Sequence, residues 1–397
     1  MCSSDLGKEA QTTLLSGPLY DHEYLHYEGR PVDHHGFPRF SAATFDAAYP
    51  FGQVHLSDPE LPVTVTVKGF NPLIPGDAEN SGLPVAVLSY EVTNRTEQPL
   101  EVAVCGSMRN FIGKDGSKFT SNWKGDYVPL GAKSNRNLYK KTDGLQGIYF
   151  YSEEVDHADP AFGTMALTTQ AQEGVSYCTN SVPDDWNNAI LDFWDDFSAD
   201  GVLTENDKPA DDDPMASLAV SKTIAPGETR TFSFFLTWSF PNRKAWSETV
   251  VGNYYTKIYP DAWQAAECIV PKIPELEKET LLFVESFLQS TYPDVIKEAA
   301  LFNLATLRSQ TVFRLPSGHL MGWEGVMDRY GSCMGSCTHV WNYEMATAFL
   351  FGDEQILNFG IDKPVAVAVN WTQTTMETER KKQWILRYIM RKHFPVK

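Results

Sequence analysis

Val63-Thr-Val-Thr-Val67 alternates apolar and polar residues without a break. That period of two marks a strand with one face buried and one face wet. Working outward, β-rich runs recur at Pro84-Val-Ala-Val-Leu-Ser-Tyr-Glu-Val92, Leu100-Glu-Val-Ala-Val104, Gly147-Ile-Tyr-Phe-Tyr151 and Thr231-Phe-Ser-Phe-Phe-Leu-Thr-Trp238. Turn-forming clusters separate them: Asn94-Arg-Thr-Glu97, Lys114-Asp-Gly116 and Pro226-Gly-Glu228. Short strands with regular turn signals predict a β-sandwich over residues 20–245. No repeat of fixed period runs through the chain.

The pattern changes near Pro241. Pro260-Asp-Ala-Trp263 reads as a helix start with Pro near its first position. After Pro274, Leu276, Thr280, Phe283, Val284 and Phe287 fall at helical spacing. Ile296, Ala299, Ala300, Asn303, Leu304 and Leu307 keep the same period in a second helix. A third helix is expected from His339 to Leu350, after the glycine-rich loop from Tyr330, with Thr338 as its cap. The fold class is therefore multidomain, β then α, with residues 246–352 as the helical part.

At 397 residues the chain exceeds the roughly 250–300 at which single cores stop growing. Hydrophobic residues at 42% and aromatics at 13% suit an ordered globular protein. The net charge of −18 opposes non-specific binding to nucleic acid and argues against a polybasic membrane anchor. A neutral substrate is compatible with it. No run of about 18 apolar residues is present, so no transmembrane segment is expected. Cysteines are sparse (Cys2, Cys105, Cys178, Cys268, Cys333 and Cys337), which fits a reducing compartment and a cytoplasmic location. Residues 1–19 make an atypical start, read as an assembly or cloning artefact. Residues 353–397 carry eight Lys or Arg against five Asp or Glu, unlike the acidic remainder. They read as an atypical tail, although Arg380-Lys-Lys382 would also serve as a basic patch.

Glycoside hydrolysis uses two carboxylates that face each other across the scissile bond. Asp184-Asp-Trp186, the run Trp194-Asp-Asp-Phe-Ser-Ala-Asp-Gly201, and Glu324 with Asp328 beside Trp323 are acidic and aromatic enough to offer them. Acidic pairs also occur on solvated surfaces. Cys333, Cys337 and His339 could ligate zinc, but no second ligand pair follows, and packing of small thiols explains them as well. His22, His26, His34 and His35, with Asp21 and Asp33, suit either a metal or a hydrogen-bonded segment. The preferred reading assigns no metal and no cofactor. No nucleophile elbow, P-loop or dinucleotide fingerprint is present.

A family resemblance enters at the junction. Gly69-Phe-Asn-Pro-Leu-Ile-Pro-Gly-Asp77, Leu83-Pro-Val-Ala-Val87, Phe193-Trp-Asp-Asp-Phe-Ser-Ala-Asp-Gly201, Trp238-Ser-Phe-Pro-Asn-Arg243 and Gly252-Asn-Tyr-Tyr-Thr256 resemble glycoside hydrolase family 116. So do Asp261-Ala-Trp263, Asn303-Leu-Ala-Thr-Leu-Arg308, Gly322-Trp-Glu-Gly325 and Cys337-Thr-His-Val-Trp-Asn-Tyr-Glu344, in the family's order. The resemblance implies an N-terminal β-sandwich followed by an (α/α)6 barrel. It also implies retaining hydrolysis of β-glucosides, β-xylosides or glucosylceramide-like substrates. In that mechanism a Glu is the nucleophile and an Asp the acid/base.

The chain departs from the family in one respect. The family's His-Asn-Thr-Tyr-Asp type stretch has no match after Glu344. The expectation is a chain truncated after the first barrel helices, without the catalytic pair and inactive alone, so no residue here is assigned as catalytic. A pocket-wall, substrate-binding role is carried to Trp323, Glu324, Asp328, His339 and Trp341. The expected partner is a β-linked glycoside or glycolipid. The alternative is a non-catalytic carbohydrate-binding or interaction module.

Overall fold

The computed structural model describes residues 10–20, 36–116, 118–121, 127–181, 189–205, 212–244, 249–309 and 312–322, with short pieces at 2–5, 325–326, 331–332 and 350–351. From the N-terminus the strands are β1 (Cys2–Asp5), β2 (Gln11–Thr12), β3 (Ala42–Ala48), β4 (Phe51–Ser57) and β5 (Val63–Phe70). Next come β6 (Val85–Asn94), β7 (Leu100–Arg109), β8 (Phe119–Ser121), β9 (Tyr127–Pro129) and β10 (Asn135–Thr142). Then follow β11 (Leu145–Ser152), β12 (Thr164–Thr169), β13 (Val175–Ser181), β14 (Met215–Ile224) and β15 (Thr229–Ser239). Two hairpin strands, β16 (Val312–Arg314) and β17 (Leu320–Gly322), lie near the helices. The helices are α1 (Ala78–Ser81), α2 (Ala189–Asp200), α3 (Ala262–Ile269), α4 (Ile273–Leu288) and α5 (Asp294–Asn303).

Thirteen of these strands form two antiparallel sheets, with β8–β9 and β16–β17 pairing separately. The larger has the order β10-β11-β12-β15-β6-β5-β4-β3, and the smaller β13-β14-β7-β1-β2. Their inner faces meet in one core. Val63, Val65, Val92, Ile148, Phe150 and Phe234 come from the larger sheet, and Leu100, Val102, Val104, Leu218 and Val220 from the smaller. The alternation of Val63 and Val65 with Thr64 and Thr66 is what turns one face of β5 inward.

Strands β6, β12 and β15 contribute buried residues to a core on each face. On β15, Phe232 and Phe234 enter the inter-sheet core, while Phe235 enters a second core beneath α3. Continuous apolar runs such as Phe234-Phe-Leu236 are what two buried faces require. Helix α3 closes that second core with Ala262, Trp263, Ala265, Ala266 and Ile269. Its three alanines let the helix backbone approach the sheet. The Thr237 hydroxyl then donates to Ala262 O at 2.7 Å, and the Ser239 hydroxyl to Tyr259 O at 3.0 Å. The change of sequence character at residue 245 is thus not a break in packing.

Asp261 caps α3, so Pro260 lies outside the helix and not, as expected, at its first position. The Asp261 carboxylate accepts from Gln264 N at 2.9 Å, and Pro260 stands one residue outside the cap. On the opposite side of the sandwich, α2 covers the smaller sheet, with Phe197 packed against Ala103, Cys178 and Ala219. Helices α4 and α5 follow α3, and the apolar residues Leu281, Leu282, Leu288, Val295, Ile296 and Phe302 on them stay exposed. The segment from His339 to Phe349 expected as a third helix lies outside the described residues, while Leu350 and Phe351 are helical. Strand β1 pairs with β7 from Cys2 opposite Ala103 to Asp5 opposite Leu100. Among the described residues, no helix is long and apolar enough to cross a membrane.

Candidate functional site

The expected site residues Trp323, Glu324, Asp328, His339 and Trp341 lie outside the described residues. So do Cys333, Cys337 and the early histidines His22, His26, His34 and His35. Among the described residues, no group of three His, Cys, Asp or Glu is placed to hold a metal. Two carboxylates of the acidic run on α2 serve local structure. Asp196 accepts from Thr204 N at 2.9 Å and Asp200 from Val202 N at 2.9 Å, which fastens the turn after the helix. Trp194 packs against Phe37 with ring centroids 4.4 Å apart. These carboxylates sit on the smaller sheet's side of the sandwich.

A cleft of about 410 Å³ opens on the other side, where the start of β6, the turn before α3 and the hairpin β16–β17 meet. Its first wall is the loop 71–82. The Ser81 hydroxyl ties that loop by accepting from Ile74 N at 2.9 Å and donating to Ile74 O at 3.1 Å. Asp77 caps the single turn of α1, accepting from Asn80 N at 2.9 Å. The turn presents Glu79 at the cleft.

Glu79 is the centre of a polar clamp. The Tyr254 hydroxyl donates to Glu79 Oε1 at 2.8 Å, and Arg314 NH1 stands 3.0 Å from the same oxygen. The Arg314 guanidinium also lies 3.6 Å from the Tyr254 ring centroid, a cation–π contact. The hydrogen bond to the carboxylate is the main reason the Tyr254 phenol titrates above its ordinary range. Behind the clamp, Asn253 Nδ2 donates to Phe240 O at 2.8 Å and Phe240 N to Tyr255 Oη at 3.3 Å. Burial pushes the Tyr255 phenol up to about 12, so it stays protonated at neutral pH. Burial also draws the Arg243 guanidinium down to about 10, and this group lies 4.1 Å from the Phe313 ring centroid.

The floor is formed by Leu73, Leu307 and Arg308. Arg308 donates to Pro72 O and faces Tyr49. Burial depresses the pKa of Arg308 and raises that of Tyr49. Part of the Arg308 surface remains open at the cleft, so the protein packed around the rest of the group accounts for the depression. Among the described residues the Tyr49 hydroxyl has no well-aligned hydrogen-bond partner, and Arg308 is its charged neighbour. Aromatic walls with convergent polar groups in a concave site are what a small polar ligand needs.

The segments noted for their family resemblance converge here. Leu73, Leu83, Tyr254 and Arg308, with Trp238 and Arg243 from the two ends of one segment, bring five of those segments to the cleft. A sequence profile then decides the family: residues 2–276 match "beta-glucosidase 2, glycosyl-hydrolase family 116 N-term". The chain belongs to glycoside hydrolase family 116. That match begins inside β1 and ends within α4, so the family-116 N-terminal region includes both the first strand and the helix docked on the sheet.

The solved structures that match are more distant. A human-microbiome protein assigned as a kojibiose phosphorylase matches 65% of this chain and 27% of its own, at 8% identity and a TM-score of 0.30. A family-36 α-galactosidase of Geobacillus stearothermophilus, in complex with stachyose, matches 51% of this chain and 28% of its own, at 10% identity and a TM-score of 0.22. The same enzyme in complex with raffinose gives a TM-score of 0.23 at 10% identity, again over 51% and 28% of the two chains. The family-116 chain spans just over a quarter of the length of these structures.

Glu79, Tyr254 and Arg314 were not expected from the sequence. Glu79 and Tyr254 are 175 positions apart, and nothing local links them. The available signal was the resemblance itself, since Gly252-Asn-Tyr-Tyr-Thr256 contains Tyr254.

Proposed function

We propose that this family-116 chain forms the sugar-facing N-terminal part of a retaining β-glycosidase of the β-glucosidase, β-xylosidase or glucosylceramidase type. The supporting observation is the convergence of its family-like segments on one cleft between the sandwich and the helices. In this reading the cleft opens towards an (α/α)6 barrel begun by α4 and α5. Leu320 and Phe351 flank the stretch that carries Trp323, Glu324, Asp328, His339 and Trp341, and both line the cleft. That supports a pocket-wall role for the five: Trp323 or Trp341 would stack on a pyranose face, and Glu324 or His339 would bond its hydroxyls.

No residue of this chain is proposed as nucleophile or acid/base. A retaining pair stands about 5–5.5 Å apart across the bond. Glu79, the carboxylate among the described cleft residues, is already held by Tyr254 and Arg314. The alternative of a non-catalytic glycan-binding module is favoured by the complete sandwich core.

The purified 397-residue chain is expected to release no nitrophenol from 4-nitrophenyl β-glucoside or β-xyloside above the uncatalysed rate. Turnover that disappears in Glu324→Gln would overturn this assignment and make Glu324 catalytic.

A further inference from the structure

The hairpin β16–β17 leads directly into Trp323-Glu324. It is short: three residue pairs join its strands, from Val312 opposite Gly322 to Arg314 opposite Leu320. They form a two-stranded sheet of their own, and such a ribbon is only marginally stable in water. Contacts with the rest of the fold therefore decide where it sits. Arg314 makes the central one. Its Nη1 stands 3.0 Å from Glu79 Oε1, and its guanidinium lies 3.6 Å from the Tyr254 ring centroid. From Nε it also donates to Gly318 O, in the hairpin's own turn, at 3.3 Å. One planar, forked cation thus ties the loop 71–82 and the turn before α3 to both ends of β16 and its turn, which a lysine ammonium could not do. Two further contacts act in the same direction. Lys257 Nζ donates to Pro316 O at 2.9 Å, and a Cβ added at Gly252 would stand 3.0 Å from Pro316 Cγ, so the hairpin turn rests against the backbone there.

We propose that Arg314 is a positioning residue of the glycoside site, with Glu79 and Tyr254 as its anchors on the sandwich side. It fastens the hairpin, and with it the start of the Trp323-Glu324 segment, so that the sugar meets one wall in a fixed place. The proposal rests on the reading of Trp323 and Glu324 as pocket wall. Arg314 and Glu79 act through the hairpin and not by touching the sugar. Binding groups must be held to within about 0.5 Å of their productive geometry, so a loosened hairpin weakens binding without removing any group that contacts the ligand.

The test takes two readings on the full chain. One is hydrogen–deuterium exchange of residues 312–322 without ligand; the other is isothermal titration with 4-nitrophenyl β-glucoside. Arg314→Met is expected to speed exchange of the hairpin amides about tenfold, with β5 and β6 unchanged. It is also expected to weaken binding of the glucoside by about threefold to tenfold. Glu79 is half exposed, so Glu79→Gln keeps the fold and gives the same two changes even if Arg314→Met does not fold. Unchanged hairpin exchange in Glu79→Gln would overturn the proposal. The double variant separates a clamp from a direct contact. Residues acting through one contact are not additive, so the double variant should bind no more weakly than Arg314→Met alone. Additive losses would mean that each residue touches the sugar by itself, and would overturn the proposal. So would a loosened hairpin with unchanged affinity, since the clamp would then serve the fold alone. A wild-type chain that binds no glucoside would instead sink the reading of the cleft as a glycoside site, and the positioning role with it.

Discussion

Trp263→Ala is expected to lower stability by about 3–5 kcal/mol, the usual range for deleting a large aromatic from a packed core. Trp263 is 3% exposed and is the one bulky aromatic of α3, between Ala262 and the pair Ala265 and Ala266. Those alanines bring the helix close to the sheet but fill little space, so the indole supplies most of the helix's aromatic contact. Its Nε1 donates to Glu267 at 3.0 Å, and Lys140 from β10 stands 4.7 Å from its ring centroid. Neighbours cannot collapse into the hole. The sheet face is fixed by its ladder, and α3 is pinned by the bonds from Thr237 and Ser239. For a unit of this size a loss of that order corresponds to a fall in Tm of about 5–8 °C, readable by calorimetry. A fall under about 2 °C would mean that α3 is an attached linker and not part of the folded unit.

Gly147→Ala is expected to cost about 3 kcal/mol or more, from backbone strain and overpacking together. Gly147 has φ 156 and pairs with Lys140 on one side and Thr168 on the other. A methyl group there would stand 2.1 Å from Leu167 O and 2.6 Å from Thr168 Cα. Both are backbone atoms of the adjoining strand, so relief requires parting β11 from β12. Gly144→Ala separates the two causes. Gly144 has φ +82 with open space around the added carbon, so only the left-handed conformation is penalised, at about 1–2 kcal/mol. Urea unfolding should give a much lower midpoint for Gly147→Ala than for Gly144→Ala, with unchanged slopes. Equal midpoints would show that β11 and β12 do not approach as closely as described.

Much of the sandwich was legible because burial leaves its mark on the chain. Val63 to Val67 alternates because one face of β5 is buried, and Thr231 to Trp238 does not because β15 is covered on both sides. Helix α4 was legible from the spacing of Leu276, Thr280 and Val284, whereas for α5 the expected apolar positions Ile296, Ala299, Ala300 and Asn303 are exposed and the helix buries Leu301, which that spacing did not include.

The seat of α3 was not legible. It rests on small alanines on the helix and on hydroxyls of Thr237 and Ser239, and neither is an apolar signal. Strand β1 was missed for a related reason: Cys-Ser-Ser-Asp carries no hydrophobic pattern, and what joins it to β7 is backbone pairing. The cleft was hidden by separation along the chain. Glu79, Tyr254 and Arg314 meet only because α1, the turn before α3 and β16 are carried to one end of the larger sheet.

The central claim is that family-116 chemistry meets its sugar at this junction cleft. Hydrogen–deuterium exchange with and without saturating 4-nitrophenyl β-glucoside tests it most directly. The account predicts slower exchange in the loop 71–84, the turn 252–259 and the stretch 307–320, with the smaller sheet and α2 unchanged. Protection on the smaller sheet or α2, with those three segments unaltered, would contradict it.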